Sequence, residues 1–278
     1  MTVAVIISTY NQPAWLEKVL WGYELQTYSN FDIIIADDGS TEVTRHLIEQ
    51  FQRSSKLRIS HVWQEDNGHQ KCKILNKSIQ ATQAEYLIFT DGDCIPRKDF
   101  VAQHVKHAKP GHFLSGGLIR LPMETSKLIN HDDIVSGRVV DVKWLRSVGL
   151  PNRFFKNLKL TLDGFAASFM NSLTPRKATW NGCNASGWRK DVVAVNGFDE
   201  RMTYGGQDVE FGYRLVHSGI KPVQLVYSLA AVHLEHARSY KTKEALENSM
   251  RVRRETLYNR KTRTEYGIVK LSPEVAKA

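Results

Sequence analysis

The chain has 278 residues, 42% of them hydrophobic, with a formal net charge of +9. That length allows one large domain or a core with a subdomain, and eight prolines without any low-complexity tract exclude a disordered chain. The positive balance favours polyanionic partners (nucleic acid, an anionic membrane surface or a phosphate-rich small molecule) and excludes none of the three.

The opening residues, MTVAVIISTY, are apolar for only about seven positions, with no basic lead and no cleavage-like site. They read as a first core strand over 3–8, neither a signal peptide nor a membrane anchor. No apolar run approaches the ~20 residues of a spanning helix. Asn11-Gln12-Pro13 is a helix-start signal, and Trp15, Leu16, Val19 and Leu20 repeat at helical spacing. A second strand over 31–36 (FDIIIA) ends in DDGST, ahead of a helix containing Val43, Leu47 and Ile48. A third strand is expected over 57–62. After Asp66-Asn67-Gly68 a helix carries Ile74, Ala81 and lysines 71, 73 and 77, and a fourth strand follows over 86–90.

This βαβαβαβ order predicts an α/β doubly wound sheet whose ligands sit beyond the carboxyl ends of its strands. Thr9, Asp37, Asp38, Asp91 and Asp93 all fall at such ends. The first turn, STYNQP, has no glycine and there is no Walker A loop, so neither a Rossmann dinucleotide fingerprint nor a P-loop is present. Beyond residue 100 the rhythm changes. A strand is expected over 113–119, a mostly helical insertion or lid over 122–175, a helix over 207–218 and a last core strand over 223–227. A charged, helix-prone tail then includes Leu246, Met250, Leu257 and arginines 251, 253 and 254. Three cysteines, Cys72, Cys94 and Cys183, form no CxxC pair; neither a disulfide framework nor a zinc-thiolate site is indicated, and a reducing interior fits.

Five constellations carry the polar chemistry. In LIFTDGDCIP, Asp91 and Asp93 flank a glycine; on an extended backbone alternate side chains share a side, and such oxygen donors suit Mg²⁺ or Mn²⁺, the other reading being a solvated turn. Asp37 either caps the following helix or hydrogen-bonds a base or ribose. In Gly205-Gly206-Gln207-Asp208, the aspartate is either a helix cap or a general base on a loop that closes over substrate. His233 and His236, three apart, are structural histidines or, beside a DxD, a source of one imidazole for a mixed oxygen and nitrogen shell. Trp180, Trp188, Phe198 and Tyr204 are core residues or flat faces for a sugar ring.

These stretches resemble the family 2 glycosyltransferases of GT-A fold over roughly residues 3–235. ISTYNQPAWLEKVLWGYELQTYSNFDIIIADDGST followed by FTDGDCIP is similar to that family's nucleotide-binding half. GCNASGWRKDVVAVNGFDERMTYGGQDVEFGYRL is similar to the acceptor-side block of galactosyl- and N-acetylgalactosaminyltransferase domains. The resemblance implies a Rossmann-like, mostly parallel sheet flanked by helices. Its parts would be a nucleotide-sugar-binding half (1–98), an acceptor and catalytic half (99–237, with the insertion at 122–175) and a basic helical tail (238–278).

It also implies that Thr9 and Asp37 hold the uracil and ribose of a UDP-sugar. Asp91 and Asp93 would be the DxD that meets ribose and a metal-bound diphosphate, with Mn²⁺ or Mg²⁺ as the ion. His233 would be a further ligand ahead of His236, and Asp208 the base of an inverting, single-displacement transfer. Trp180, Asn181, Trp188, Tyr204, Gly205, Gly206 and Gln207 would line the acceptor and donor pocket. Gln207 stands where the family usually has Glu, and it can hydrogen-bond a hydroxyl but takes no proton. The implied partners are a nucleotide sugar and a saccharide acceptor in cell-surface polysaccharide synthesis, without nucleic acid. The setting is the cytoplasm, with the basic tail either at an anionic inner membrane face, solvated, or in a subunit contact that leaves oligomerisation open. The rival readings are a metal-dependent nucleotidyltransferase and a non-catalytic carbohydrate- or nucleic-acid-binding protein.

Overall fold

The computed structural model describes residues 1–174, 179–237 and 242–270. The last residue of the expected 122–175 insertion, and residues 238–241 and 271–278 of the tail, lie outside the described residues. The first half alternates strands and helices as expected: β1 Val3–Thr9, α1 Pro13–Glu24, β2 Asp32–Asp37, α2 Glu42–Ser54, β3 Arg58–Trp63, α3 Lys71–Gln80 and β4 Tyr86–Asp91. These four strands pair in parallel in the order β3-β2-β1-β4. Alternate residues of β1 serve opposite layers: Val3, Val5 and Ile7 join the core under α1, whereas Ala4 and Ile6 join the core under α3. Burial on both faces is why β1, β2 and β4 read as continuous apolar runs, whereas the edge strand β3 does not.

The second half contains β5 Cys94–Pro96, α4 Phe100–His107, β6 His112–Arg120, α5 Met123–Leu128, α6 His131–Val135, α7 Val142–Ser147, α8 Phe154–Thr161 and α9 Gly164–Leu173. It continues with β7 Asn184–Trp188, α10 Arg189–Ala194, α11 Gln207–His217, β8 Lys221–His233 and α12 Lys243–Tyr258. The sheet has eight strands in the order β3-β2-β1-β4-β7-β6-β8-β5. Two strands were not anticipated. β7 (NASGW) is too polar and small to look like one, yet it lies between β4 and β6, antiparallel to both. β5 is only three residues long and pairs antiparallel with the end of β8, which runs six residues past the expected strand end at Tyr227.

β4 and β5 are joined only by Gly92 and Asp93, yet stand four places apart in the sheet. Three Cα steps reach at most about 11 Å, whereas four strand spacings in a flat sheet measure about 19 Å. The sheet must therefore curl through β7, β6 and β8 until the tip of β8 meets the tip of β4. A bulge accompanies the curl: the β6–β8 register jumps between Gly116 and Gly117, leaving 226–229 of β8 without a β6 partner. Both glycines are needed here. A Cβ on Gly116 would stand 2.3 Å from Asn184 Oδ1, and one on Gly117 would stand 2.3 Å from the Val226 carbonyl. Asn184, fully buried, donates from Nδ2 to the carbonyls of Gly117 (2.9 Å) and Leu229 (2.7 Å) and lies 3.2 Å through Oδ1 from His104 Nε2. Helices α8 and α9 seat on the same bulge, where Asn171 Oδ1 accepts from the Tyr227 amide at 2.9 Å.

Asn184→Leu should therefore leave two buried carbonyls without donors and lower the unfolding free energy by about 2–4 kcal/mol. Urea denaturation followed by tryptophan fluorescence measures it, and a loss below about 1 kcal/mol would show that the bulge does not depend on this side chain.

Candidate active site

The parallel strands bring their carboxyl ends to one edge, and the polar residues there are wired to one another. At the β1 tip, Thr9 is buried and its Oγ1 has no hydrogen-bond partner among the described residues. At the β2 tip, Asp37 Oδ1 accepts from the Ser40 amide at 2.8 Å, and Oδ2 lies 2.9 Å from His61 Nε2 on β3. One oxygen thus secures the DDGS turn and the other a neighbouring imidazole. Asp38 accepts from Gln64 Nε2 at 2.6 Å and from the Gln70 amide at 2.8 Å, tying β2 to the loop that starts α3. Burial raises its pKa to about 6 in spite of these donors.

The first residue of α3 completes this edge. Lys71 Nζ donates to Asp91 Oδ1 at 2.6 Å, and Ser8 Oγ donates to the same oxygen at 2.7 Å. Burial works against the Lys71 ammonium, but Asp91 and then Asp208 outweigh it and hold its pKa well above the usual range. Asp208, on the first turn of α11, is half-buried, and its Oδ1 has no hydrogen-bond partner among the described residues. Burial pushes its carboxyl above the usual range, with Lys71 opposing the shift and Asp91 adding to it. Gly182 lies directly against this carboxylate: a Cβ there would stand 2.3 Å from Asp208 Oδ1.

Asp93 is held apart from Asp91 because the backbone turns at Gly92 and Asp93 instead of staying extended. The expected same-side pair is therefore absent: Asp91 faces Lys71 and Ser8, and Asp93 faces the histidines. Register explains the second arrangement. Cys94 pairs with His233, and the Leu234 amide donates to the Asp93 carbonyl at 2.8 Å. Asp93 Oδ2 lies 3.5 Å from His233 Nε2 and 3.0 Å from His236 Nε2, so the histidine ranked second from sequence stands closer. Burial opposes ionisation of Asp93, but the His236 hydrogen bond and the charges of both imidazoles outweigh it and keep its pKa low. Burial lowers the His233 pKa, and its Nδ1 has no hydrogen-bond partner.

Among the described residues, Asp93, Cys94 and His233 offer one donor atom each within 4.8 Å of one another. A carboxylate and a neutral imidazole with an unused ring nitrogen fit a divalent ion of Mn²⁺ type. Asp91 is not in this group.

The expected pocket residues divide. Asn181, Gly182 and Cys183 lie at the β4 tip, where Thr90 Oγ1 donates to the Cys183 carbonyl at 3.1 Å. Asn181 Nδ2 donates to the Gly116 carbonyl at 3.2 Å. Tyr204 sets its ring edge-on to His69, 5.8 Å between centroids, beside the loop that leads to Lys71. Gln207 is buried, with Oε1 lacking a hydrogen-bond partner. Gly205 and Gly206 lie beneath α12: a Cβ on Gly205 would stand 2.7 Å from Leu246 Cδ2, and one on Gly206 would stand 3.4 Å from Arg253 Nη1.

Trp180 and Trp188 are corrections. Trp180 is 1% exposed, with Phe89 and Phe211 at ring distances of 5.4 and 4.8 Å, so it is core and offers no face to a sugar. Phe198 is core as well, stacked on Phe211 at 4.3 Å. Trp188 pairs with Tyr86 at the start of β4, the end of that strand remote from the carboxylates. Lys71 is the residue the sequence reading missed; its signal was its place at the first turn of the helix that follows the Asn67-Gly68 turn.

A doubly wound sheet with an acidic edge, a two-residue turn from β4 to β5 and a curled mixed half is the GT-A, Rossmann-like fold. Residues 4–181, more than half of the chain, match the family described as Glycosyl transferase family 2, and the chain belongs to it. It is 29% identical over 252 residues to validoxylamine A glucosyltransferase of Streptomyces hygroscopicus subsp. jinggangensis, covering 86% of this chain and 56% of that one. With chondroitin synthase of Escherichia coli it shares 28% identity over 234 residues, 78% of this chain and 32% of the synthase. The chain thus spans about half or less of the length of these two relatives. Among solved structures, the S. aureus TarS 1–349 complex with UDP-GlcNAc superposes with a TM-score of 0.62 at 16% identity, covering 93% of this chain and 67% of that one. A mannosyltransferase from Pyrobaculum calidifontis, in complex with GDP-Man and Mn²⁺, gives 0.57 at 18% identity, covering 86% and 58%.

The raised Asp208 pKa has a stability consequence of definite sign. Between the ordinary carboxylate value of 3.8 and its own raised value, the folded state binds more protons than the unfolded one, so stability falls as pH rises through that window. Asp208→Asn should melt above wild type near neutral pH, with the gap closing as the pH drops below about 4. Calorimetry across pH measures this, and a variant less stable than wild type near neutrality would contradict it.

Proposed function

We propose that the chain is an inverting, metal-dependent glycosyltransferase. In this reading it moves a hexosyl or N-acetylhexosaminyl unit from a UDP-sugar to a hydroxyl of a glycan or lipid-linked saccharide. The observation that carries it is the division of labour along one crevice. Asp93 with two imidazoles stands at one side, Lys71–Asp91 in the middle, and Asp208 with an unpartnered oxygen and a raised pKa at the other. Family membership supports the reading, as do the UDP-GlcNAc bound by one solved structure of the same fold and the GDP-Man and Mn²⁺ bound by another.

In this reading Thr9 and Asp37 hold the uracil and ribose, Thr9 through its unpartnered hydroxyl. The acceptor hydroxyl oxygen bonds to the anomeric carbon from the face opposite the nucleotide, the bond from that carbon to the β-phosphate oxygen breaks, and UDP leaves with the electron pair. Asp208 takes the hydroxyl proton; a carboxylate whose pKa is raised toward the working pH is the better acceptor. Gln207, buried beside it, holds a sugar hydroxyl without taking a proton. Lys71 fixes Asp91 and opposes the rise in the Asp208 pKa. When bound at Asp93 and His233, a divalent ion supplies charge neutralisation of the departing diphosphate. The donor is read as galacto-configured or its N-acetyl form, on the likeness of residues 182–215 to such transferases; release of UDP from a panel of UDP-sugars tests it.

Asp208→Asn should lower transfer at least ~100-fold while UDP affinity in Mn²⁺ stays within about threefold of wild type. Near-normal turnover would sink the assignment of the base, and turnover of nucleoside triphosphates without any release of UDP from UDP-sugars would favour a nucleotidyltransferase. Asp93→Ala should abolish the Mn²⁺-dependent part of UDP affinity in calorimetry.

Lys71→Met removes the charge that lowers the Asp208 pKa. The acid limb of kcat against pH should then move to higher pH; a limb that stays in place would detach Lys71 from the base.

A further inference from the structure

The helical insertion keeps more apolar surface outside than its packing requires. Leu158 and Leu162, with Ala167 and Met170, cover Val226 and Tyr227 on the β8 bulge, which accounts for the inner faces of α8 and α9. Phe154, Phe155, Phe165, Phe169 and Leu173 nevertheless remain exposed, with Phe165 at 86% and Phe155 at 73%. Phe165 and Phe169 are one turn apart with stacked rings 6.3 Å between centroids, and Leu173 follows one turn on. All three lie on the side of α9 opposite buried Ala167. Phe154 and Phe155 open α8 with their rings 5.4 Å apart. Single exposed apolar residues need no explanation, but a run of five on adjoining helices marks an interaction surface.

Charge selects the partner. Lys143, Arg146, Arg153 and Lys156 are exposed on this segment, and Asp163 is the lone acidic residue between Val142 and Leu173. A second copy of the chain docked on this face would set like charge against like. An anionic lipid surface offers an apolar layer for the rings and negative headgroups for the basic residues. We propose that α8 and α9 seat this face on an anionic bilayer, with the phenylalanines at the acyl boundary. No helix among the described residues is long and apolar enough to cross a membrane, so the contact is an interfacial one.

This proposal is independent of the transferase reading and moves the membrane contact away from the basic tail. On α12 three acidic residues accompany the four basic ones, Val252 and Ser249 are buried, and Arg253 lies over Gly206.

Sedimentation of the full chain with extruded vesicles tests the proposal. At low salt the protein should pellet with phosphatidylcholine vesicles containing phosphatidylglycerol and remain in solution with phosphatidylcholine alone. Phe165→Ser/Phe169→Ser, placed on exposed positions, should cut the bound fraction about tenfold with an unchanged melting temperature. Arg251→Ser/Arg254→Ser should pellet like wild type. Three results would overturn it: wild type left in solution with anionic vesicles, undiminished binding by the phenylalanine variant, or a dimer in sedimentation velocity that the phenylalanine variant abolishes.

Discussion

The architecture depends on the shortness of the link between β4 and β5. Two residues cannot cross four strand spacings, so Gly92 and Asp93 force the mixed half of the sheet to curl until the end of β8 meets the end of β4. That single constraint delivers His233 opposite Cys94 and His236 next to Asp93. Without the curl, the histidines and the aspartates would lie on separate edges. The bulge after Gly116, and the amide of Asn184 that satisfies its carbonyls, are the local adjustments that let β8 follow the bend.

The electrostatics of the crevice oppose one another by arrangement. Asp91 and Asp208 share the field of one ammonium, Lys71, which is hydrogen-bonded to Asp91. Asp208 is left with the burial cost and only part of the compensation, which is how its pKa rises while that of Asp93, flanked by two imidazoles, falls. Asp93 and Asp208 are thereby shifted in opposite directions by their surroundings.

The first half of the fold was legible because β1, β2 and β4 are buried on both faces and spell that burial out as apolar runs, while the carboxylates at their tips follow from the direction of the strands. The second half was legible only in part. β7 is composed of residues chosen to fit between two strands and to donate into a bulge, a demand made by tertiary position that local propensity does not register. β5 is too short to have a pattern. The separation of Asp91 from Asp93 could not be read because sequence spacing says nothing of where a backbone turns. Trp180 and Trp188 were misplaced for a related reason: in a stretch rich in glycine and amides, an aromatic that fills a core and one that faces a ligand look the same. Lys71 was hidden among three lysines of one helix, and only the first of them reaches the strand tips.

The contact between α12 and the Gly205-Gly206 turn gives the C-terminal region a mechanical tie to the crevice. The two glycines carry no side chains to absorb movement, so Leu246 and Arg253 bear directly on main chain that leads, within two or three residues, to Asp208. Any change in how α12 is seated therefore falls first on the turn that opens the helix of Asp208.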